Sequence, residues 1–376
     1  MLKRFQIYFY FKFFYCDLYI GENMNIKKEK VFIFNIVTAY DNAGDVLINR
    51  ALIDNIRPYG RVLVATSHLP ENFEAQLRLR DEECASTFRK AILKNVFKSR
   101  VYKIGIPGHS FDQSPKFING ILELIYTAFF RYFLNVKFLR VGNSYINLHP
   151  YRRVIEKLKA YFYELYGVRD EASIDLFSSK YITYFPDLAF MSHDLIEKRG
   201  GVSKGYCFVS VRADFPDAKI QEGYLDKVIK KVFQFSDCLS LDAILIGYQV
   251  PEDKQSCKML AESLRIMGVE NIKFINEPLS FQMSVKLISE AEIVLSNRLH
   301  IVLPALVMGV RHGVVTDARK HTKIISLYKT IGAEFAIYDI DDDRDVVISN
   351  LNNTENLIEI ADCQRGIALD KLEALL

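Results

Sequence analysis

Short runs of apolar residues alternate along the chain with longer stretches in which apolar positions recur at helical spacing. The first run, KVFIFNIV at 30–37, is β-branched and aromatic, which predicts a strand buried in a parallel sheet. The stretch GDVLINRALIDNIRPYG follows with a helical pattern that Pro58 and Gly60 close. RVLVATS at 61–67 predicts the next strand, so the succession is typical of a βαβ unit.

The same alternation continues through the second half of the chain, where helical segments at 221–235, 253–267 and 280–289 separate the apolar runs. The pattern predicts an α/β fold of two facing, doubly wound, Rossmann-like domains. Turn-forming residues cluster between 165 and 200, which places the predicted domain boundary there. Further strands are predicted at 101–108, 136–144, 204–212, 241–248, 271–277, 291–296 and 312–317. The predicted divisions are a leader or interfacial segment at 1–30, an N-terminal domain at 31–170, a C-terminal domain at 171–345 and a helical segment at 346–376.

The N-terminal segment FQIYFYFKFFYCDLYI at 5–20 is rich in aromatic residues. Lys12 and Asp17 interrupt it, and it is shorter than the roughly 20 residues that a spanning helix needs. No small-residue cleavage site follows it, which argues against a signal peptide. Either the segment anchors the protein at a membrane interface, or it is a leader upstream of a true start at Met24. We favour the second interpretation.

A second apolar segment, GILELIYTAFFRYFLNVKFL at 120–139, is apolar on nearly all sides. It predicts either a helix buried in the protein or a helix that rests on a membrane surface. Arg131 inside the segment and the strand expected near 136 argue against a spanning helix. The lack of a convincing export signal and the unpaired cysteines predict a cytoplasmic protein, and the two apolar segments predict peripheral contact with the inner membrane face.

The composition excludes several classes of protein. Apolar residues make up 50% of the 376 residues and charged residues 25%, which is typical of a globular protein of two domains. A net charge of +3 is too small to indicate nucleic-acid binding. The cysteines form no CxxC pair and the histidines no HExxH motif. We therefore predict reduced thiols in the cytosol and no metal site.

The stretch LSNRLHIVLPALVMG at 295–309 predicts the end of a strand followed by a buried helix. Ser296 or Asn297 is the predicted N-cap, and Gly309 follows the last helical residue. Pro304 lies inside the predicted helix, where a proline kinks the helix or delays its start.

Arg298 and His300 are therefore predicted on the first helical turn, at the carboxyl end of a parallel strand. Open α/β sheets bind their ligands at this edge. Free backbone N–H groups and the helix dipole favour an anion there, and the two side chains add charge and donors. The pattern predicts a site for a phosphate or a carboxylate. The alternative is a structural ion pair of Arg298 and a hydrogen-bonded histidine of the core.

The stretch TAYDNAGDVLI at 38–48 connects the first predicted strand to the first helix. Gly44 allows the backbone to approach another group closely. Asp45 either caps the helix or, with Asn42, faces the cleft and holds a sugar hydroxyl. The stretch is neither a P-loop nor a GxGxxG fingerprint, so it does not predict nucleotide binding of those two types.

Three more charged residues follow predicted strands or turns: Arg169 in YGVRDEAS, Asp187 in YFPDLAF and Arg212 in FVSVRAD. The run TDARKHTKI, which contains Lys323, follows the last strand of the set. Singly, such residues more often form ion pairs in turns or a solvated face. Their shared position at strand ends predicts that they lie at the ligand-binding edge.

The order of these pieces resembles that of the polysaccharide pyruvyl transferase family. NAGD, VRDEAS, FPDLAF, VSVR and then SNRLHIVLPALVMG with a lysine downstream span residues 31–330, and the RLH block is the most specific of them. The resemblance implies a fold similar to the GT-B glycosyltransferase arrangement. It also implies transfer of pyruvate from phosphoenolpyruvate to a sugar of a polysaccharide or lipid-linked saccharide, as a ketal.

The sequence departs from the family pattern at three places. The glycine-rich loop expected after the third strand reads IGIPGHSFD, and the stretch expected to resemble GQSIGP reads GNSYINLHP. Arg311 stands where a proline commonly follows the RLH helix. The first two departures touch the side that is expected to bind the acceptor.

The resemblance and the residues together suggest roles. Phosphoenolpyruvate carries a phosphate and a carboxylate, so its pocket needs several cations. We expect His300 to act as a general acid, Arg298 to hold the leaving phosphate, and Asp45 to orient or deprotonate the sugar hydroxyl. The N-terminal domain is expected to bind the acceptor and the C-terminal domain the donor. The expected substrate-binding residues are Arg212, Lys323, Asn42, Gly44, Asp187 and Arg169.

The expected partners are phosphoenolpyruvate and a saccharide acceptor, with no cofactor, no metal and no nucleic acid. Two alternatives stay open at this point. One is a glycosyltransferase of the same two-domain shape that uses a nucleotide sugar. The other is a catalytically degenerate family member that acts as an assembly protein.

Overall fold

The computed structural model describes residues 28–110, 117–146, 148–193, 195–196, 203–213, 223–239, 241–342 and 354–376. The apolar segment at 5–20 and the alternative start at Met24 lie outside these residues. The first part of the helical segment predicted at 346–376 also lies outside them.

The first half of the described chain alternates strands and helices, as its pattern predicts. The elements are β1 (Lys30–Phe34), α1 (Ala43–Ile56), β2 (Arg61–Ala65), α2 (Glu71–Leu77), β3 (Cys84–Ala85), α3 (Phe88–Asn95), β4 (Arg100–Ile104), β5 (Gly108–Ser110), α4 (Phe117–Phe133), β6 (Lys137–Tyr145), α5 (Pro150–Ala160), β7 (Leu165–Val168), α6 (Glu171–Phe177) and β8 (Thr183–Tyr184). Within the described residues all these strands pair in parallel, in the order β3-β2-β1-β4-β6-β7-β8, and β5 pairs with β6. This is a doubly wound order that reverses between β1 and β4.

The second half of the described chain also alternates strands and helices, and its strands form a second parallel sheet. Its elements are β9 (Tyr206–Ser210), α7 (Tyr224–Cys238), β10 (Ala243–Ile246), α8 (Lys254–Ile266), β11 (Ile272–Phe274), α9 (Phe281–Glu290), β12 (Ile293–Ser296), α10 (Leu299–Val307), β13 (His312–Thr316), α11 (Thr322–Thr330), β14 (Ile337–Asp339) and α12 (Thr354–Leu375). Across the described part of the chain, the strand order is β11-β10-β9-β12-β13-β14, which reverses between β9 and β12.

The central strands are buried on both faces, which explains their uninterrupted apolar runs. Val31, Phe32 and Ile33 of β1 are 0% exposed, and the strand pairs with β2 on one side and β4 on the other. A strand covered on both faces does not show the polar alternation of a half-exposed strand. Polar chemistry is therefore concentrated where the strands end.

A shared core joins the two halves. Buried apolar residues of α1 in the first half and of α9, α10 and α12 in the second belong to one continuous cluster. The predicted fold class, two facing doubly wound domains, is confirmed. The first sheet extends past residue 170, the last residue of the N-terminal domain predicted from the sequence, because β7 pairs with β8 at Thr183 and Tyr184. The second sheet begins with β9 at Tyr206.

The apolar segment at 120–139 divides between helix α4 and strand β6. Of the two alternatives that the sequence left open for this segment, burial does not hold for α4, because Ile118 is 72% exposed, Ile125 59% and Phe133 66%. Only the opposite side of α4 packs inward, for example through Phe130. Among the described residues, no helix combines the length and apolar character needed to cross a membrane.

Helix α12 packs back across both halves. Leu357, Ala361 and Leu372 belong to the shared core. The Lys371 ammonium donates to the carbonyl oxygen of Tyr184 in β8 at 2.6 Å, which ties the end of the chain to the first sheet.

Candidate functional site

A cavity of about 800 Å³ lies between the two sheets, at the edge where strands of both halves end. Its walls come from the segments after β1 and β4 and from those after β9 and β12. These are the points at which each strand order reverses, where open α/β folds bind their ligands. The predicted site residues that line the cavity are Asn42, Asp45, Arg212, Arg298, His300 and Lys323.

The head of α10 differs from the sequence prediction. The N-cap is Arg298, without a side-chain capping bond, and not Ser296 or Asn297. The Asn297 side chain instead ties β9 to β12. Its Oδ1 accepts from the Arg212 backbone N–H at 2.7 Å, and its Nδ2 donates to the Arg212 carbonyl at 2.8 Å. Asn297 therefore holds together the two strands at the reversal point.

Arg298 both lines the cavity and forms an ion pair with Asp253. The arginine side chain is 17% exposed and the aspartate side chain 2%. Burial raises the pKa of Asp253, while the charges of Arg298 and Arg212 oppose that rise. Arg298 therefore does form a structural ion pair, which was the alternative to an anion site. The pair holds the guanidinium at the cavity wall.

Pro304 shapes the backbone at His300. A proline has no N–H to donate to the carbonyl four residues earlier, and its ring clashes with that carbonyl. The residue four positions before Pro304 is His300, and it has the non-helical angles φ −83° and ψ 18° inside α10. The predicted kink therefore falls on the histidine. At the other end, Gly309 adopts a φ of +67° after the last helical turn, as predicted.

The His300 imidazole is enclosed and neutral at neutral pH. Burial lowers its pKa to about 4, although the nearby carboxylate of Asp187 raises it. Its Nε2 has no hydrogen-bond partner among the described residues. The backbone of Gly44 lies directly against the ring: a Cβ on Gly44 would stand 2.5 Å from Cβ and Cγ of His300 and closer still to Nδ1. The predicted close approach at Gly44 is thus to a residue of the other half.

Asp45 and Lys323 interact across the cavity. Burial raises the pKa of Asp45, while hydrogen bonds from Thr38, Ala39 and Asn42 and the charge of Lys323 lower it. Burial lowers the pKa of the Lys323 ammonium to about 7, with a smaller opposing contribution from Asp45. The N-cap of α1 is Asn42, whose side chain accepts from the Gly44 N–H at 3.0 Å. Asp45 is therefore not the cap, and both Asn42 and Asp45 face the cavity.

Arg169 and Asp187 form a buried ion pair behind the cavity wall. The Arg169 Nη1 and Asp187 Oδ2 atoms are 2.5 Å apart, and each side chain is 1% exposed. Although burial raises the pKa of Asp187, the charge of Arg169 and an electrostatic interaction with His300 hold it below its ordinary value. Neither residue lines the cavity, and neither does Gly44. Their expected direct contact with substrate stays a prediction, and their position is that of a layer that supports His300.

Sequence reasoning missed several residues of the cavity wall. Asp170 lines the cavity where Arg169 was expected; it caps α6 by accepting from the Ser173 N–H at 2.8 Å. His321 was visible in the charged run but not selected, and burial lowers its pKa to about 4. The shared signal is that most of these residues lie just after a predicted strand. The cavity wall also includes Thr38, Arg140, Tyr145, Gln249, Lys320 and Ser326.

Within the part of the chain that the structure describes, three carboxylates lie close enough together to hold a metal ion. Ligand atoms of Asp317, Asp339 and Asp341 lie within 4.8 Å of one another. However, Asp317 Oδ1 accepts from the Arg319 and Lys320 backbone N–H groups at 2.9 and 3.1 Å. Asp339 Oδ1 accepts from the Asp341 N–H at 3.1 Å. These bonds are typical of tight turns, so the predicted absence of a metal site stays a prediction.

Comparison with known proteins relates the chain to one protein family. The family model described as polysaccharide pyruvyl transferase matches residues 42–317, from Asn42 to beyond α10. The match includes the segments that contribute Asp45, Arg212, Arg298 and His300. No curated protein matches the chain.

Solved structures with a similar fold include proteins named for UDP-N-acetylglucosamine 2-epimerase. One from Listeria monocytogenes has a TM-score of 0.58 at 11% identity, with 92% of this chain and 95% of that chain covered. One from Neisseria meningitidis, bound to UDP-GlcNAc, has a TM-score of 0.53 at 11% identity, with 92% and 99% covered. At these identities the similarity concerns the fold alone, and it agrees with the expected GT-B arrangement.

Proposed function

Because the chain belongs to the polysaccharide pyruvyl transferase family, we propose that it transfers pyruvate from phosphoenolpyruvate to a saccharide and forms a pyruvate ketal. The observation that carries the proposal is the composition of the cavity wall. Arg212, Arg298 and Lys323 of one half meet Asn42 and Asp45 of the other there. This arrangement suits an anionic donor on one side and a hydroxyl acceptor on the other.

The reaction requires two proton movements and one leaving group. Two hydroxyls of one sugar form C–O bonds to C2 of the enolpyruvyl group, and the C–O bond to phosphate breaks. C3 gains one of the two hydroxyl protons and becomes a methyl group, while the other proton leaves with inorganic phosphate. The site must therefore donate a proton near C3, accept one near the sugar and stabilise phosphate.

The donor fits the second half of the molecule. Phosphate and carboxylate are best held by guanidinium groups with paired donors, which Arg298 and Arg212 offer at the ends of β12 and β9. The Asp253 carboxylate keeps Arg298 in place, much as outer partners orient ligands in metal sites. Lys323 adds a further cation whenever it is protonated.

We assign proton delivery to His300. In the unliganded protein its pKa is lowered to about 4, so the ring enters the reaction neutral. An anionic donor beside the ring favours the charged imidazolium and raises its pKa towards the working pH. The unpartnered Nε2 is then available to exchange a proton. Asp187, which lies near His300 and interacts with it electrostatically, stabilises that imidazolium.

The acceptor fits the first half. Asp45 is the expected base or orienting group for the sugar hydroxyl, and its raised pKa makes it a stronger base than an exposed aspartate. Asn42 lines the same wall and adds amide donors and acceptors. Because Lys323 faces Asp45, the donor and acceptor groups are electrostatically coupled across the cavity.

Thermal protection distinguishes the donor. At a concentration one hundred times its Kd, a bound donor stabilises the folded state by about 2.7 kcal/mol. We expect phosphoenolpyruvate to raise the melting temperature and UDP-N-acetylglucosamine to leave it unchanged. The opposite result would favour a nucleotide-sugar glycosyltransferase. Protection by neither ligand would favour the non-catalytic assembly protein.

Product analysis then tests the reaction. The protein is incubated with phosphoenolpyruvate and a panel of free and lipid-linked saccharides, and each saccharide is examined for the mass of an added pyruvyl group. Released inorganic phosphate is measured in parallel, and the two quantities are expected to match. Phosphate release without a pyruvylated product would contradict transfer to a sugar.

A further inference from the structure

A large apolar surface on the first half of the molecule is exposed. It comprises the outer sides of α3, α4 and α5 together with the residues just after α3 and α5, and we refer to it as the α3–α5 face. Helix α4 exposes apolar side chains at a helical repeat, on the side opposite to its packed residues. The exposed apolar residues of this face are Leu93, Phe97, Ile118, Leu122, Ile125, Phe129, Tyr132, Phe133, Val154, Leu158 and Tyr161.

The α3–α5 face is one continuous surface. Buried residues of α3 and the inner side of α4 share one cluster against the same side of the sheet. Helices α4 and α5 are joined by ion pairs from Glu123 to Arg152 at 3.2 Å and to Lys159 at 3.0 Å. Aromatic contacts continue the surface from Tyr132 to Phe162, at 5.8 Å between ring centres, and from there to Tyr161 at 5.4 Å.

Basic residues flank these apolar side chains. Helices α3, α4 and α5 contain only two acidic residues, Glu123 and Glu156, and both form ion pairs with Lys159. The positive charges are therefore not cancelled by exposed acidic neighbours on the same helices. The exposed basic residues are Arg89, Lys90, Lys94, Lys98, Arg100, Arg153 and Lys157.

We infer that the α3–α5 face binds the surface of an anionic lipid membrane. Exposed apolar and aromatic side chains insert at the boundary between headgroups and acyl chains, and flanking lysines and arginines attract anionic headgroups. A contiguous apolar surface of this kind on a soluble domain marks an interaction site. The inferred contact is peripheral, because the opposite side of α4 packs inward, for example through Phe130, and only the exposed side is available to the bilayer.

A second copy of the chain is the competing occupant, and the charges argue against it. In a two-fold symmetric dimer the same surface meets itself, so the basic residues of both copies would be brought into one interface whose helices contain few acidic residues to compensate them. That arrangement is repulsive, whereas anionic headgroups complement the same charges. The charge pattern therefore selects the membrane.

The α3–α5 face is connected to the cavity through the segments that precede α4 and α5. The cavity wall includes Ile106 and Pro107, which come before α4 in the chain, and Ile146, which comes before α5. Membrane contact through these helices would bring the first half of the cavity wall near the bilayer. Under the proposed function, a lipid-linked saccharide would then reach the cavity from the membrane side. The membrane contact itself does not depend on the proposed function.

Flotation of the full-length protein with lipid vesicles tests the inference. We expect binding to vesicles that contain phosphatidylglycerol and weak binding to vesicles of phosphatidylcholine alone, with a decrease at high salt. The double variant Lys94→Glu/Lys98→Glu reverses two exposed charges. It should lower the fraction of protein bound to the anionic vesicles by about ten-fold or more. Ile125→Ser/Phe129→Ser removes inserted apolar groups and should give a comparable loss.

Matched variants on α8 of the second half provide the controls. Lys254→Glu/Lys258→Glu reverses two exposed lysines at the same spacing, and Ile266→Ser removes an apolar side chain that is 87% exposed. Both should bind vesicles like the parent protein. Equal flotation of the parent and the α3–α5 variants would overturn the inference, because the contact would then lie elsewhere, for example in residues 1–27. A second outcome would also overturn the inference. If the parent protein did not bind vesicles but formed a dimer, and the α3–α5 variants were monomers, the face would bind a second copy of the chain.

Discussion

At the scale of single residues, the cavity holds three side chains whose roles can be separated by substitution. Arg298 keeps its charge in Arg298→Lys but loses the planar fork that binds phosphate through two bonds. Losing one charge-assisted contact should weaken donor binding by about 10- to 150-fold, which corresponds to roughly 1.5–3 kcal/mol. Calorimetric titration with phosphoenolpyruvate measures this change. The control is Arg265→Lys, on the exposed side of α8, for which donor affinity should be unchanged.

His300→Gln tests proton transfer. Glutamine retains hydrogen-bonding groups but cannot exchange a proton at neutral pH, so turnover should fall by about 10²- to 10⁴-fold while donor affinity stays close to that of the parent. His312→Gln is the matched control, because His312 is also buried, bonds to Tyr328 at 2.9 Å and lies outside the cavity wall. It should lower stability and leave turnover per folded molecule unchanged. A His300→Gln protein with near-normal turnover would exclude the proton-transfer role.

The ammonium of Lys323 should set the upper pH limit of donor capture. Burial lowers its pKa to about 7, so the free protein loses this cation as the pH rises through 7. The ratio kcat/KM reports groups of the free enzyme and should fall by about ten-fold per pH unit above that value. Arginine stays charged in this range, so Lys323→Arg should remove the fall near pH 7. If kcat/KM of the Lys323→Arg variant also declined near pH 7, the decline would be due to the titration of another group.

At the scale of elements, helices α1 and α10 meet at their first turns. Gly44 of α1 lies against the His300 ring, and a methyl group there would overlap the ring. Gly44→Ala should therefore displace the histidine, destabilise the protein by about 1–3 kcal/mol and reduce turnover more than it reduces the folded fraction. Urea denaturation and steady-state kinetics measure the two effects.

Gly366→Ala provides the contrast for this prediction. The position lies inside helix α12, and an added Cβ meets no described atom within 4 Å. Alanine should stabilise the helix by about 0.5–1 kcal/mol and leave turnover unchanged. If both alanine variants behaved alike, helix propensity rather than the contact with His300 would explain the result at Gly44.

At the scale of the whole molecule, buried neutral histidines should make the fold sensitive to acid. Burial lowers the pKa of His300, His312 and His321 to about 4. Between pH 6.5 and 4 the unfolded chain binds more protons at these positions, so the free energy of unfolding falls as the pH falls. Each ring contributes a slope of up to about 1.4 kcal/mol per pH unit.

Urea denaturation at several pH values between 7.5 and 4.5 measures that slope. In His312→Asn one of the three rings is absent, so the loss of stability on acidification should be shallower than in the parent. Stability at pH 7 is expected to decrease, because the bond to Tyr328 is weakened or lost. An unchanged slope would show that His312 does not resist protonation in the folded protein.

The sequence determined the elements and the edge at which ligands bind. Buried parallel strands have uninterrupted apolar runs, so β1, β9 and β12 can be recognised from the local sequence. The polar residues that follow such strands are expected at one edge of each sheet. That reasoning predicts Arg298, His300 and Lys323 at this edge, and all three line the cavity. The exposed side of α4 was not readable in the same way, since an apolar helix has the same pattern whether a core or a lipid surface covers it.

Only the tertiary structure decided the electrostatic state of the site. Asp253 pairs with Arg298, Asp187 lies near His300, and Asp45 faces Lys323, each from a distant part of the chain. The charge of a side chain depends on how deeply it is buried and on which charges surround it. Both properties arise when the two halves pack together, because the cavity wall is complete only then. A sequence read along one strand and one helix can name the residues of such a site but not their protonation.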